Sequence, residues 1–197
     1  MSGAVPEKCE MDRERIERAV REILIGIGED PDREGLLGTP ERVADAYAYL
    51  FAGLDEDPTH HLDVGFMESA RDTVLVRDIP LASLCEHHIL PFIGKVHLGY
   101  APQGRVVGLS KLARLVEGYA RRPQLQERLT AQIADALYES LGSRGSIVVI
   151  EADHTCMTIR GIQKPGSITV TSAVRGIYEQ DAALRSEAMA MISRATR

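Results

Sequence analysis

The stretch Pro123–Arg160, PQLQERLTAQIADALYESLGSRGSIVVIEADHTCMTIR, changes period part-way and so decides the fold class. In its first half Leu125, Leu129, Ile133, Leu137 and Leu141 recur at i, i+4, a helical stripe that Pro123 can open and Gly142 can close. In its second half Ser146–Asp153 and Thr155–Arg160 read as strands. Working outward, Ser110 can cap a preceding helix from Lys111 to about Arg121, so two helices run in succession. Before them, Thr73–Val76, Gly94–Tyr100 and Arg105–Gly108 read as strands separated by Pro- and Gly-containing turns. After them come a strand at Ser167–Val174 and a final helix over about Gln180–Ser193.

The N-terminal third is different. Residues 1–11 read as a flexible tail containing the lone Cys9. From Asp12, the apolar Ile16, Val20, Ile23, Leu24 and Ile27 fall on one helical face, and Gly28 with Pro31 ends that helix. Thr39 followed by Pro40 predicts a second start, running to about Gly53 with Val43, Ala46, Tyr47 and Leu50 inward. A polar loop, Asp55–His61, follows. The division expected is a tail at 1–11, a helical region at 12–70 and a sheet-containing main domain at 71–197. Strands grouped in runs favour an α+β fold with an antiparallel sheet.

Composition narrows the function classes. The 197 residues are 44% hydrophobic and 26% charged, ordinary for a globular protein, and with no Trp the core must be aliphatic. No apolar run approaches membrane-spanning length, and Met1–Glu10 has no hydrophobic signal core. Three cysteines make a poor disulfide framework and suit a reducing compartment, so the cytoplasm is expected. A net charge of −6 argues against a nucleic-acid partner, though a local cluster of donors could still hold a small anion.

Two short segments carry metal-competent side chains, Cys85-Glu86-His87-His88 and His154-Thr155-Cys156. Cys85 and His88 are close enough in sequence to reach one ion, with Cys156 as a distant third ligand. Three protein ligands and an open position is the pattern of catalytic zinc, and it points to hydrolysis by an activated water. The competing expectation is ordinary burial for the thiols, or the solvent face of an edge strand. An unbroken strand would put His154, Cys156, Thr158 and Arg160 on one face. His87 and His154 are candidate proton carriers, or groups that orient a ligand or a water.

Two further motifs have a structural and a functional reading. Ser110, Lys111 and Arg114 at a helix start suit a phosphate, to which Arg160, Lys164 and Arg42 could add charge; a plain capped helix start is the alternative. Gln126 and Glu127 also lie near a helix start, where the dipole alone favours acids. Alternatively Glu127 accepts hydrogen bonds from an N–H-rich ligand such as the edge of guanine.

Taken together, CEHH (85–88), GLSKLARLVEGYARRPQLQERL (108–129) and HTCMTIRGIQKPGSITVTSAVRG (154–176) resemble GTP cyclohydrolase I, over about Thr39–Tyr178. The resemblance implies a tunnelling fold, with antiparallel sheet and paired helices, in a ring-like homodecamer with active sites at subunit interfaces. It implies Zn2+ on Cys85, His88 and Cys156, catalytic roles for His87 and His154, and guanine recognition by Gln126 and Glu127. Triphosphate and ribose contacts fall on Ser110, Lys111, Arg114 and Arg160, with Arg42 resembling an arginine lent by a neighbouring subunit. The implied reaction takes GTP and water to 7,8-dihydroneopterin triphosphate and formate, the first step of tetrahydrofolate and pterin synthesis. Two rivals are a nitrile reductase of the same fold, with a Cys nucleophile, NADPH and no zinc, and a non-enzymatic zinc scaffold.

Overall fold

The computed structural model describes residues 11–193, so the predicted tail, apart from Met11, lies outside the described residues. Two helices come first, α1 (Arg13–Gly26) and α2 (Thr39–Leu50), and 3-10 turns at Ala52–Asp55 and Pro58–Leu62 follow. Then come β1 (Gly65–Met67), β2 (Val74–Cys85), β3 (Leu90–Ala101), β4 (Arg105–Val107) and α3 (Leu109–Ala120). A two-residue strand β5 (Pro123–Gln124) precedes α4 (Gln126–Asp135), whose last turn widens to a π turn over Ala136–Ser140. The chain finishes with β6 (Gly145–His154), α5 (Thr155–Thr158), β7 (Thr169–Gly176), α6 (Ile177–Gln180) and α7 (Ala182–Ser193).

The main sheet has the order β5-β2-β3-β6-β7, antiparallel except for the short parallel pairing of β5 with β2. Period 2 sorts its side chains between two layers. Phe92, Val96, Leu98, Val148 and Ile150 face one side and pack against Leu112, Leu115, Leu129, Ile133 and Leu137 of α3 and α4, all fully buried. Each such side chain contributes about 1.5–3 kcal/mol relative to exposure, so this layer anchors the sheet. Ile147, Val149 and Ala101 face the other side, under Tyr178, Ala188 and Ile192. This is the α+β layout implied by the resemblance: an antiparallel sheet with paired helices, preceded by N-terminal helices.

Several local expectations are corrected. Pro123 does not open a helix: it pairs with Leu84 beside β2, Gln124 pairs with Cys85, and the helix starts at Gln126. Thr39 is the first helical residue and Gly38 the cap; Thr39 Oγ1 instead accepts from the Arg42 guanidinium. Ser110 does not cap α3, whose cap is Gly108. The loop expected at 55–61 contains a 3-10 turn, whereas the final helix, Ala182–Ser193, lies where it was expected. Along α1, Val20 is buried, but Ile23 is 61% and Ile27 72% exposed, so the described residues leave much of the apolar face predicted there uncovered. On α2, Ala44 is buried while Ala46, expected inward, is exposed.

The predicted strand at Thr155–Arg160 is also absent. β6 stops where His154 pairs with Phe92, because the next partner would be Pro91, which has no N–H to give the ladder. Thr155 Oγ1 donates to the Pro91 carbonyl at 2.6 Å instead, and the chain coils into one helical turn.

Candidate metal and catalytic site

The β2–β3 hairpin builds the first half of the site. Cys85 is the last residue of β2, and the amides of His88 and Ile89 both donate back to its carbonyl, closing the turn. The Glu86 amide donates to the Gln124 carbonyl, so the misread Pro123–Gln124 segment clamps this turn from outside. Arg128 adds a two-pronged pair to Glu86, at 2.6 and 3.0 Å. This pair, invisible to motif reading because neither residue is a ligand type of the cluster, fixes the turn to α4.

The turn after β6 brings the second half. One ligand atom each from Cys85, His88 and Cys156 lies within 4.8 Å of the other two. The loss of strand geometry therefore does not cost the convergence, although His154, Cys156, Thr158 and Arg160 no longer share a strand face. The Arg160 guanidinium donates to His88 Nε2, so that nitrogen is unprotonated, and Arg160 would have to release its lone pair before it could hold an ion. Burial first, then the nearby Arg160 and His87, lower the His88 pKa and favour the neutral, ligating form. Burial and the neighbouring Cys85 sulfur push the Cys156 thiol up. Two sulfurs and a neutral imidazole at this spacing suit a divalent cation, which would relieve the conflict between the thiols. The donor set fits zinc.

His87 is exposed, with Nδ1 3.8 Å from Cys85 Sγ. His154 is held more firmly. Its ring stacks on Phe92, centroids 4.7 Å apart and planes 8° from parallel, and its Nε2 lies 2.7 Å from Gln126 Oε1. Burial lowers its pKa, with Glu127 and Asp153 opposing. Gln126 is itself 1% exposed, and its Nε2 donates to the carbonyls of Ile150 and Thr169 and to Thr171 Oγ1. An amide so committed acts on His154 from inside the chain.

The remaining expected residues lie outside this network. Glu127 is exposed on the rim of a depression of about 450 Å³ with Thr130, Thr171, Ser172, Arg175 and Glu179. The side chains of Ser110, Lys111 and Arg114, in the first turns of α3, have no hydrogen-bond or ion-pair partner among the described residues. Arg42 binds Thr39 on its own helix. Missed by the sequence reading were Phe92, Glu86, Arg128 and Asp153, whose Oδ1 is buried without a hydrogen-bond partner among the described residues. Only for Asp153 was there a signal, an acid placed beside a candidate catalytic histidine.

Fold and site define the class: an α+β protein whose reactive side chains meet in one Cys/His cluster at the end of an antiparallel sheet. The family model of GTP cyclohydrolase I matches residues 16–193. The chain is 63% identical to GTP cyclohydrolase 1 of Carboxydothermus hydrogenoformans, over 92% of this chain and 95% of that one. It is 59% identical to the Corynebacterium aurimucosum enzyme of the same name (98% and 99% covered) and 56% to that of Bacillus subtilis (94% and 98%). The chain belongs to the GTP cyclohydrolase I family and is an enzyme of it, which sets aside the nitrile reductase and scaffold alternatives.

Proposed function

We propose that the chain is a zinc-dependent hydrolase that converts GTP and water to 7,8-dihydroneopterin triphosphate and formate, opening tetrahydrofolate and pterin synthesis in the cytoplasm. The observation that carries this is the convergence of Cys85, His88 and Cys156 near a half-buried His154 oriented by Gln126. Zinc held by those three residues would supply Lewis acidity and make water nucleophilic near neutral pH.

The protein's own groups do the rest. Gln126 Oε1 can only accept, so His154 carries its proton on Nε2 and leaves Nδ1 free to take one. Burial keeps that ring neutral, the form a general base needs. His87, exposed beside the ligands, is placed to pass protons to and from solvent. Glu127 accepts from the guanine amine and ring N–H, while Gln126 supports recognition from behind by holding His154. Ser110, Lys111 and Arg114 bind the triphosphate, joined by Arg160 once it leaves His88, and the triphosphate supplies binding energy and orientation rather than chemistry. Arg42 reaches a neighbouring subunit's site in a homo-oligomer, the homodecamer of the resemblance. The β7 edge, the part of β2 before its short pairing with β5, and the exposed Ile23 and Ile27 of α1, none covered among the described residues, support such an assembly.

The test is an NMR time course of zinc-loaded protein with GTP, following formate by proton and phosphate by phosphorus signals. Formate with the triphosphate retained is expected. Formate with free pyrophosphate, or no change in GTP, would overturn the assignment.

A further inference from the structure

A second group of metal-competent side chains stands outside this site, in the connection from α2 to the sheet. Glu56 precedes the Pro58–Leu62 turn, and His60 and His61 lie within it. His61 Nε2 is 2.7 Å from Glu56 Oε1, and His60 Nε2 is 3.7 Å from the same oxygen. One ligand atom from each residue lies within 4.8 Å of the other two.

The hydrogen bonds say what this gap lacks. His60 Nδ1 is bonded to the Asp57 carbonyl, which can only accept, so Nδ1 carries the proton. A neutral His60 then aims a bare Nε2 lone pair at a carboxylate oxygen already engaged by His61. In that tautomer two acceptors face each other at 3.7 Å, a gap that a cation or a proton would fill. An imidazole pinned through Nδ1–H to a backbone carbonyl is also how ligating histidines are held toward a metal.

The backbone here is clamped in place. The Gly53 amide donates to the Arg121 carbonyl, and a Cβ on Gly53 would sit 2.2 Å from the Gly118 carbonyl oxygen. Arg122 donates to the Glu56 carbonyl at 2.7 Å, and Leu62 is 1% exposed. Pro58 is buried against Gly118 of α3. The imidazoles are thus pre-placed, with His61 tucked in and His60 open to water.

We propose that Glu56, His60 and His61 form a second divalent-metal site, independent of the thiol cluster, that takes zinc or a first-row ion of similar preference. Two imidazoles and a carboxylate are a zinc donor set, and without a thiolate the site is harder than the first. The ion clasps the α2–sheet connection and keeps open positions for water.

Cobalt(II) titration of the chelator-stripped full chain tests this, because only thiolate ligands give sulfur-to-cobalt charge-transfer bands. Wild type should bind two equivalents at micromolar metal, one with those bands and one without. Cys156→Ser should keep the band-free equivalent, and His60→Ala/His61→Ala should keep only the banded one. The Glu56→Gln variant, close in shape to wild type, should bind the second ion at least about tenfold more weakly. A single, banded equivalent in wild type would overturn the proposal and leave a proton in the gap; this needs no variant to fold. A band-free equivalent that survives both histidine substitutions would overturn it too.

Discussion

The cluster end of the sheet and the first turns of α3 carry the two halves of the proposed chemistry, and they are built in opposite ways. Around Cys85, His88, Cys156 and His154 the supporting side chains are committed, Gln126 to His154 and three acceptors, Arg160 to His88 and Arg128 to Glu86, with Asp153 Oδ1 left over. At Ser110, Lys111 and Arg114 the side chains have no partner among the described residues. The difference separates pre-organisation from capture. Groups that move protons or hold an ion must be fixed before substrate arrives, because a reactive geometry tolerates little error. Groups that hold a triphosphate gain from staying unpaired until the anion comes.

The largest expected effect removes the fixed half. Cys156→Ser should lose zinc and turnover together, by more than the ~10–100-fold typical of a supporting residue. Metal content and formate release measure it, and an active, metal-free variant would break the assignment.

Next is Gln126→Ala, which separates a pre-organised network from a base contact. With a buried amide lost and four partners orphaned, stability should fall by roughly 2–3 kcal/mol in urea denaturation. The turnover number should fall as His154 loses its orientation. Undiminished stability with only a raised KM would return Gln126 to direct guanine recognition.

Lys111→Ala addresses the unpaired half. Stability should stay within about 0.5 kcal/mol, since no side-chain hydrogen bond or ion pair among the described residues is lost. KM for GTP should rise roughly tenfold, about 1.4 kcal/mol, with a smaller change for guanosine binding. Equal losses for nucleotide and nucleoside would remove the phosphate role.

The smallest effect tests the core away from both. His97 is buried, its Nδ1 accepts from the Asp78 amide at 3.2 Å, and burial lowers its pKa against the opposing pull of Asp78 and Glu151. The unfolded chain therefore binds a proton more readily than the folded one. Stability from this group is intact above the usual histidine pKa of about 6.5 and is lost as pH falls below it. The urea midpoint should drop on acidification, less steeply in His97→Gln; equal slopes would remove this residue from the balance.

Much of the fold was legible because its signals are local. The i, i+4 stripe of Leu129, Ile133 and Leu137 forms the predicted buried face, and Ile147–Ile150 lies in a predicted strand. The failures fall where a long-range partner decides. Pro123 became a strand because β2 lay alongside, and the strand at Thr155 ended because its partner was proline. α1 shows an apolar face that the described residues only partly cover.

By itself the sequence determined the residue types and spacings: a C-x-x-H pair, a distant thiol, histidines beside them and cations at a helix start. Those are properties of covalent order and side-chain chemistry, and they survive any local misreading. Only the tertiary structure decided which of them meet. Bringing Cys156 to Cys85, setting Gln126 behind His154, and leaving Lys111 unpaired depend on strand register and on where a ladder runs out of donors. Those contacts join residues tens of positions apart, so no local pattern encodes them.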